Sequence, residues 1–188
     1  MRHFAARSCL AEEIFAALGI FHRVADGDGP RIIRFEFTMV IHDLTRKECE
    51  ALLTRSSLGR LACARDGQPY IVPISFSFDP DGNYLYSFST LGQKIQWMRR
   101  NPRVCVEVDE IVDRHHWTTV LVMGWYEEIG GSGPNAAARQ KAQELFQQRE
   151  TWWLPGAGKV VGRAEHESPI VFRIHVDKIS GRRADRPA

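Results

Sequence analysis

The chain has 188 residues, a length that fits one domain with an added tail. Hydrophobic residues make up 44% and charged residues 26%, the balance of a globular protein that buries a real core. The net charge of +2 is too small to make nucleic acid or an anionic membrane the main partner. No apolar run reaches the roughly 18 residues that a membrane-spanning helix needs.

Residues 1–38 show no clear periodicity and contain the loop-like Asp26-Gly27-Asp28-Gly29-Pro30. Arg2 and Arg7 precede a short apolar stretch, but Glu12 and Glu13 interrupt it, so it does not read as a secretory leader. Two readings of this segment stand side by side: a poorly ordered extension, or an upstream translation start with Met39 as the natural one. The main domain is expected over 39–181 and a polar tail over 182–188. Thr45-x-x-Glu48 is a capping box, and Cys49, Leu52 and Leu53 behind it share one helical face. The expected short helix, about Thr45 to Thr54, would plug one end of the domain.

Strand signals follow. Leu58–Arg65 and Tyr70–Phe78 flank Asp66-Gly67, a strong hairpin turn. In the second run Ile74, Phe76 and Phe78 share a face, while Ser75 and Ser77 point the other way. Pro73 cannot donate a ladder hydrogen bond, so it marks an edge or a bulge where backbone groups open to a ligand. Asp79-Pro-Asp-Gly82 turns the chain into the strand Tyr84–Ser89. A helix carrying Ile95 and Met98 comes next and stops at Asn101-Pro102. Val104, Val106 and Val108 alternate as a strand, and Trp117–Ile129 is a longer one with Gly124 as a candidate bulge. A Gly-rich linker leads to a helix at about Pro134–Arg149, and Ile170–Ile179 is the last strand. Six strands, hairpin-linked and broken by short helices, predict a mostly β fold with flanking helices: a closed or nearly closed antiparallel barrel, with a β-sandwich as the alternative on pattern alone.

The chemistry concentrates in Ser87-Phe-Ser-Thr-Leu-Gly-Gln-Lys94, where a strand ends and a helix begins. A helix N-terminus exposes N–H groups and a partial positive charge, which favours anions. Ser89 and Thr90 add hydroxyls, Gly92 permits close backbone approach and Lys94 adds a full charge, with Arg99, Arg100 and Arg103 nearby in sequence. The segment reads as a phosphate site; the plain alternative is a helix cap beside a solvated lysine. His115-His116 point to opposite faces if they lie on a strand, so they do not chelate one ion and read as a solvated loop pair. Trp152-Trp153, beside Pro155-Gly156, read as packing residues at a helix end rather than as part of a ligand site, and Tyr84 and Tyr86 as core or interface residues. Cys9, Cys49, Cys63 and Cys105 form no C-x-x-C; they predict reduced thiols in a cytoplasmic protein and no metal site.

Five blocks occur in order: Pro69-Tyr-Ile-Val-Pro-Ile-Ser-Phe76 with Tyr84-Leu-Tyr-Ser87, Gly92-Gln-Lys-Ile95, Arg99-Arg-Asn-Pro-Arg-Val-Cys-Val106 and Trp117-Thr-Thr-Val-Leu-Val-Met-Gly124. Together they resemble the pyridoxamine 5′-phosphate oxidase-related family of FMN-binding split barrels, in particular the branch with the 5-nitroimidazole resistance proteins. The resemblance implies a six-stranded antiparallel split β-barrel and a homodimer with two FMN sites at its interface. It implies that Ser87, Lys94 and the loop Ser89, Thr90, Gly92, Gln93 hold the phosphate. The strand Pro73, Ile74, Ser75, Phe76 would line the flavin ring with backbone groups. Trp117, Thr118 and Thr119 would approach the cofactor, from the partner subunit if the family arrangement holds. The implied activity is a flavin-dependent oxidoreduction of a small molecule, with NADH or NADPH as reductant. A non-catalytic flavin binder or sensor and a haem-binding protein on the same barrel are the alternatives. The oxidases' phosphate-gripping arginine has no counterpart in Tyr70-Ile71-Val72, and Arg173-Ile174-His175 lacks the block that surrounds their substrate-binding Arg-x-His. Pyridoxamine phosphate oxidation itself is therefore not carried over.

Overall fold

The computed structural model describes residues 39–130, 135–148 and 169–186. The expectations for residues 1–38 and for Trp152-Trp153 lie outside them.

The six expected strands all form: β2 (Leu58–Arg65), β3 (Gln68–Asp79), β4 (Tyr84–Ser89), β5 (Arg103–Asp113), β6 (His116–Glu128) and β7 (Ile170–Asp185). A seventh, β1 (Val40–Asp43), precedes them. The sheet runs β1-β7-β4-β3-β2-β5-β6, every pairing is antiparallel, and β6 returns to β7. Strands β2 to β7 thus close a six-membered ring, and β1 is an added edge on β7.

Local chemistry explains the turns. Asp66 and Gly67 both take positive φ, 51° and 78°, the backbone of a tight two-residue hairpin. Asn83 takes the left-handed form at φ 58° and its amide donates to Val176 O at 2.7 Å, tying the second hairpin to β7. Helix α1 (Arg46–Arg55) starts on the full capping box of Thr45 and Glu48. Its buried Cys49, Leu52 and Leu53 join the barrel core of Leu61, Ile74, Phe76, Val106, Val122, Phe172 and their neighbours. Helix α2 (Gln93–Arg100) adds Ile95 and Met98 to the same core. Helix α3 (Ala136–Gln147) covers the outside of β4, where Ala142 packs with Tyr86 and Ile129, and Phe146 meets Phe88 edge to face.

That outer layer explains why alternation in β3 does not show as exposure. Ile74, Phe76 and Phe78 fill the barrel as expected, yet Ser75 and Ser77 are also buried. Of the two expected places for Pro73 the structure shows the first: no bulge interrupts the β2–β3 register, and the residue lies where β3 has one neighbouring strand, an edge that needs no donor. Two expectations need correction. Residues 182–185 are not a polar tail: they are the end of β7, paired with β1 on one side and β6 on the other. Their strand pattern is hidden in the sequence, because Ala184 alone is buried, beside less buried arginines. At Gly124 the ladder does slip, but the extra residue is Asp177 on β7. Among the described residues no helix is long and apolar enough to cross a membrane.

Candidate functional site

Strand β3 changes partners along its length. Gln68–Ser75 pair with β2, and Phe76–Asp79 pair with β4. Beyond the Phe76–Ser87 pair the two strands part: Phe88 and Ser89 of β4 pair with β7 alone. Among the described residues the far edge of β3 from Gln68 to Ser75 therefore has no strand beside it. This opening is the split in the barrel, and the turn Thr90–Gly92 and helix α2 follow directly from it.

Ser87 stands at the fork, fully buried, and its hydroxyl donates to Ser75 O at 2.7 Å. It closes the apex of the split, so its one proton is committed to the backbone. Ser89 is also buried and donates to Thr90 O at 2.9 Å. Thr90 is half-buried and Gln93 exposed. Gly92 is the N-cap of α2 with extended backbone (φ −166°), a shape open to any residue; having no side chain, it leaves the first turn without a side-chain cap. The free approach to the helix N-terminus, rather than backbone freedom, is what Gly92 contributes.

Lys94 is half-buried in the first turn of α2, near Cys63 of β2. Burial pushes the Cys63 thiol up, and the Lys94 charge acts on it in the opposite sense. Arg99 and Arg103, nearby in sequence, are engaged elsewhere. Arg99 makes two 2.8 Å bonds to Glu128 of β6, and Arg103 lies 4.4 Å above the Trp125 ring. Tyr126 donates to the same Glu128 at 3.0 Å; burial, then the Glu128 charge, pushes its phenol up. Trp97 packs on Tyr70 at 5.5 Å between ring centroids, and Asn101 donates to Ala64 O at 2.9 Å. These contacts fix α2 over β2 and β3, with its N-terminus beside the split.

Trp117, Thr118 and Thr119 are not in that neighbourhood. Trp117 pairs with Ala184 of β7, whereas Ser89 pairs with Ile170 of the same strand. At about 3.3 Å per residue, on the order of 40 Å of β7 separates them. Within one chain the phosphate loop and the Trp117–Thr119 block are at opposite ends of the barrel. Thr119 shares the outward face with Pro73, with β2 and β5 between them, roughly 14 Å at ordinary strand spacing. Its hydroxyl bonds Glu107 at 3.1 Å. Nearby on that face, Ala62, Ala64, Cys105, Met123 and Gly124 line a cleft of about 340 Å³ between Arg103 and Asp177.

His115 closes the turn between β5 and β6 and His116 is the first residue of β6; both are half-buried rather than a solvated loop pair. Asp113 accepts both backbone N–H groups and the His116 ring, which holds its carboxyl down to about 2. Arg173 is bound to Glu127 at 2.8 and 3.0 Å and lies over the Tyr84 ring, so it is occupied structurally. Among the described residues, no three His, Cys, Asp or Glu side chains gather as metal ligands.

The pattern of the pyridoxamine 5′-phosphate oxidase family matches residues 45–183. The chain belongs to the pyridoxamine 5′-phosphate oxidase family. An uncharacterized protein from Rhizobium meliloti (strain 1021) is 38% identical over 151 residues, covering 78% of this chain and 97% of its own. The crystal structure of an FAD-binding protein from Mesorhizobium loti is 37% identical, covers 79% of this chain and 99% of that one, and superposes with a TM-score of 0.64. A candidate 5-nitroimidazole antibiotic resistance protein from Bacteroides thetaiotaomicron shares the fold at 16% identity, covering 83% and 100%, with a TM-score of 0.54. The shared fold bears out the split barrel that the resemblance implied and, of the two readings of the strand pattern, the barrel.

The residues that sequence reasoning missed are Arg60, Glu107 and Asp109, joined to Thr119 on the outward face. Their signal was present as alternation: Glu107 and Asp109 interleave with the inward Val106 and Val108.

Proposed function

We propose that the protein binds FMN in the split between β3 and the β4–α2 turn and acts as a flavin-dependent oxidoreductase, drawing electrons from NADH or NADPH. The observation that carries the reading is the parting of β3 from β4 directly beside the side-chain-free N-terminus of α2 and Lys94. An unpaired strand edge supplies backbone N–H and C=O groups of the kind a flavin ring's pyrimidine edge needs. The helix N-terminus and Lys94 supply one anion position, which suits the single phosphate of FMN. When bound, the flavin supplies the electron transfer, which fits a site with no evident catalytic side chain. Ser89, Thr90 and Gln93 surround the phosphate position; Ser87 supports it by holding the fork.

The protein works as a cytoplasmic homodimer in this reading. Ile71, Leu121, Met123 and Trp125 are 65%, 39%, 49% and 37% exposed on the outward side, an apolar surface suited to a second copy. The cysteines Cys49, Cys63 and Cys105 are free thiols, consistent with a reducing compartment.

The experiment is a fluorescence titration with FMN, and with FAD in parallel, of wild type and Lys94→Ala. A charge-assisted phosphate contact is worth about 1.5–3 kcal/mol, so the variant is expected to bind FMN roughly ten- to a hundredfold more weakly. Equal affinity in the variant would move the anchor elsewhere, and tighter binding of FAD than FMN would correct the cofactor. Stopped-flow mixing of the loaded protein with NADH or NADPH should bleach the flavin; persistent colour would leave a binder without oxidoreductase activity.

A further inference from the structure

The cleft of about 340 Å³ on the outward face lies at the lower end of the range of small-molecule sites. Cys105, Met123 and Gly124 form its apolar floor between β5 and β7, and the small Ala62 and Ala64 leave further room over β2. Two opposite charges line it, Arg103 and Asp177. The register spaces them. Arg103 is opposite Trp125 and Trp125 is opposite His175, with Asp177 further along β7. Two strand spacings separate β5 from β7, roughly 10 Å.

Each charge is held with a binding edge open. Arg103 lies 4.4 Å above the Trp125 ring. Stacking occupies the flat face of a guanidinium and leaves its in-plane N–H donors available. Arg55, Arg60, Arg99 and Arg173 all have carboxylate partners; among the described residues the Arg103 guanidinium has none. Asp177 is the residue extruded where the β6–β7 ladder slips, and such a bulge re-aims its side chain. Its Oδ1 accepts the His175 Nδ1–H at 3.2 Å, and among the described residues no hydrogen bond reaches Oδ2. An available cation and an available anion thus face one apolar floor.

We propose that this cleft binds a small linear dipolar molecule. Its cationic nitrogen meets Asp177, its apolar middle lies against Cys105, Met123 and Gly124, and its carboxylate or phosphate meets Arg103. None of these residues is assigned to the flavin, so the two readings stand or fall separately.

The test is an NMR titration of the full chain with 6-aminohexanoate, hexylamine, hexanoate and the shorter dipole 4-aminobutyrate. Chemical-shift changes should gather at Cys105, Met123, Gly124 and Asp177. 6-Aminohexanoate should bind about two- to fivefold more tightly than hexylamine or hexanoate, the scale of one exposed ion pair. It should also exceed 4-aminobutyrate, whose charges are too close together to reach both ends. Asp177→Asn should remove its advantage over hexanoate, and Arg103→Gln its advantage over hexylamine. Both positions are exposed, so the unfolding midpoint should hold in each variant. A cleft that recognises apolar surface alone would favour hexylamine and hexanoate over both dipoles, and that order overturns the inference. So does an advantage of 6-aminohexanoate that survives unchanged in both variants. Absence of shift changes at the cleft with all four probes overturns it as well, and leaves this surface to the second copy alone.

Discussion

Two glycines show how different residue-scale demands look alike in a sequence. Gly67 sits at φ +78° in an open turn, and a Cβ added there would have nothing within 4 Å, so a side chain meets only backbone strain. Gly124 has the opposite problem. A Cβ on it would lie 2.1 Å from His175 O, a backbone atom that cannot rotate away. The close approach exists because Asp177 is extruded from the β6–β7 ladder and draws the strands together. Gly124→Ala should therefore destabilise the protein by about 1–3 kcal/mol, measured by urea unfolding, as other overpacked positions do. Asp113 presents a pH effect at the same scale. Its bond to the His116 ring, and next the His115 amide, hold the folded carboxyl at about 2 against an ordinary 3.8. A value depressed by folding means that the turn's stabilisation is complete above the ordinary value and is lost as pH falls toward 2. The protection of the His115 and His116 amides, taken relative to intrinsic exchange at each pH, should fall across that window; protection that ignores pH between about 4 and about 2 would remove Asp113 from the role.

At the scale of elements, α2 matters because it presents Lys94, and its hold on the barrel comes from the other end of the helix. Arg99 bonds Glu128 twice at 2.8 Å, and Ile95 and Met98 are buried beneath. The Arg99–Glu128 pair is partly exposed, 45% and 35% at the two side chains, so it contributes at most about 1 kcal/mol. Glu128→Gln should lower the unfolding midpoint slightly and weaken FMN by no more than about fivefold. Lys94→Ala should leave the midpoint unchanged while costing far more affinity. An affinity loss in Glu128→Gln as large as that of Lys94→Ala would mean that helix placement, not the ammonium, holds the ligand. The contrast also marks what the sequence made legible. Elements with local signatures were readable: the capping box of α1, the Asp66-Gly67 hairpin, the Val104-Val106-Val108 alternation and the strand-to-helix turn at Ser89–Lys94. Strand β1 was not, because all four of its residues are exposed and its place comes from its ladder with β7, far along the chain. The commitment of Ser87 to Ser75, and the distance of Thr119 from Lys94, depend on where β3 leaves β4. That is a non-local property, and no window of residues contains it.

The whole molecule raises a geometric problem that assembly would solve. The phosphate loop follows Ser89 at one end of β7, and Trp117–Thr119 lie against the other end of the same 16-residue strand. Along β7 the two blocks are twelve or more residues apart. In the proposed homodimer, a two-fold axis through the outward face would exchange the two ends and bring the Trp117–Thr119 block of one subunit toward the loop of its partner. That face carries the exposed Ile71, Leu121, Met123 and Trp125, an apolar surface on which the proposed second copy would sit. Met123 is half exposed, and Met123→Lys can therefore place a charge in this surface without burying it in the barrel core. The substitution should halve the mass seen by light scattering and, in the same samples, weaken FMN. Because a ligand bound across an interface favours the assembled form by mass action, saturating FMN should also drive the variant back toward the dimer. A folded monomer that keeps wild-type FMN affinity would confine the whole flavin site to one chain and return Trp117–Thr119 to a purely structural place in the sheet.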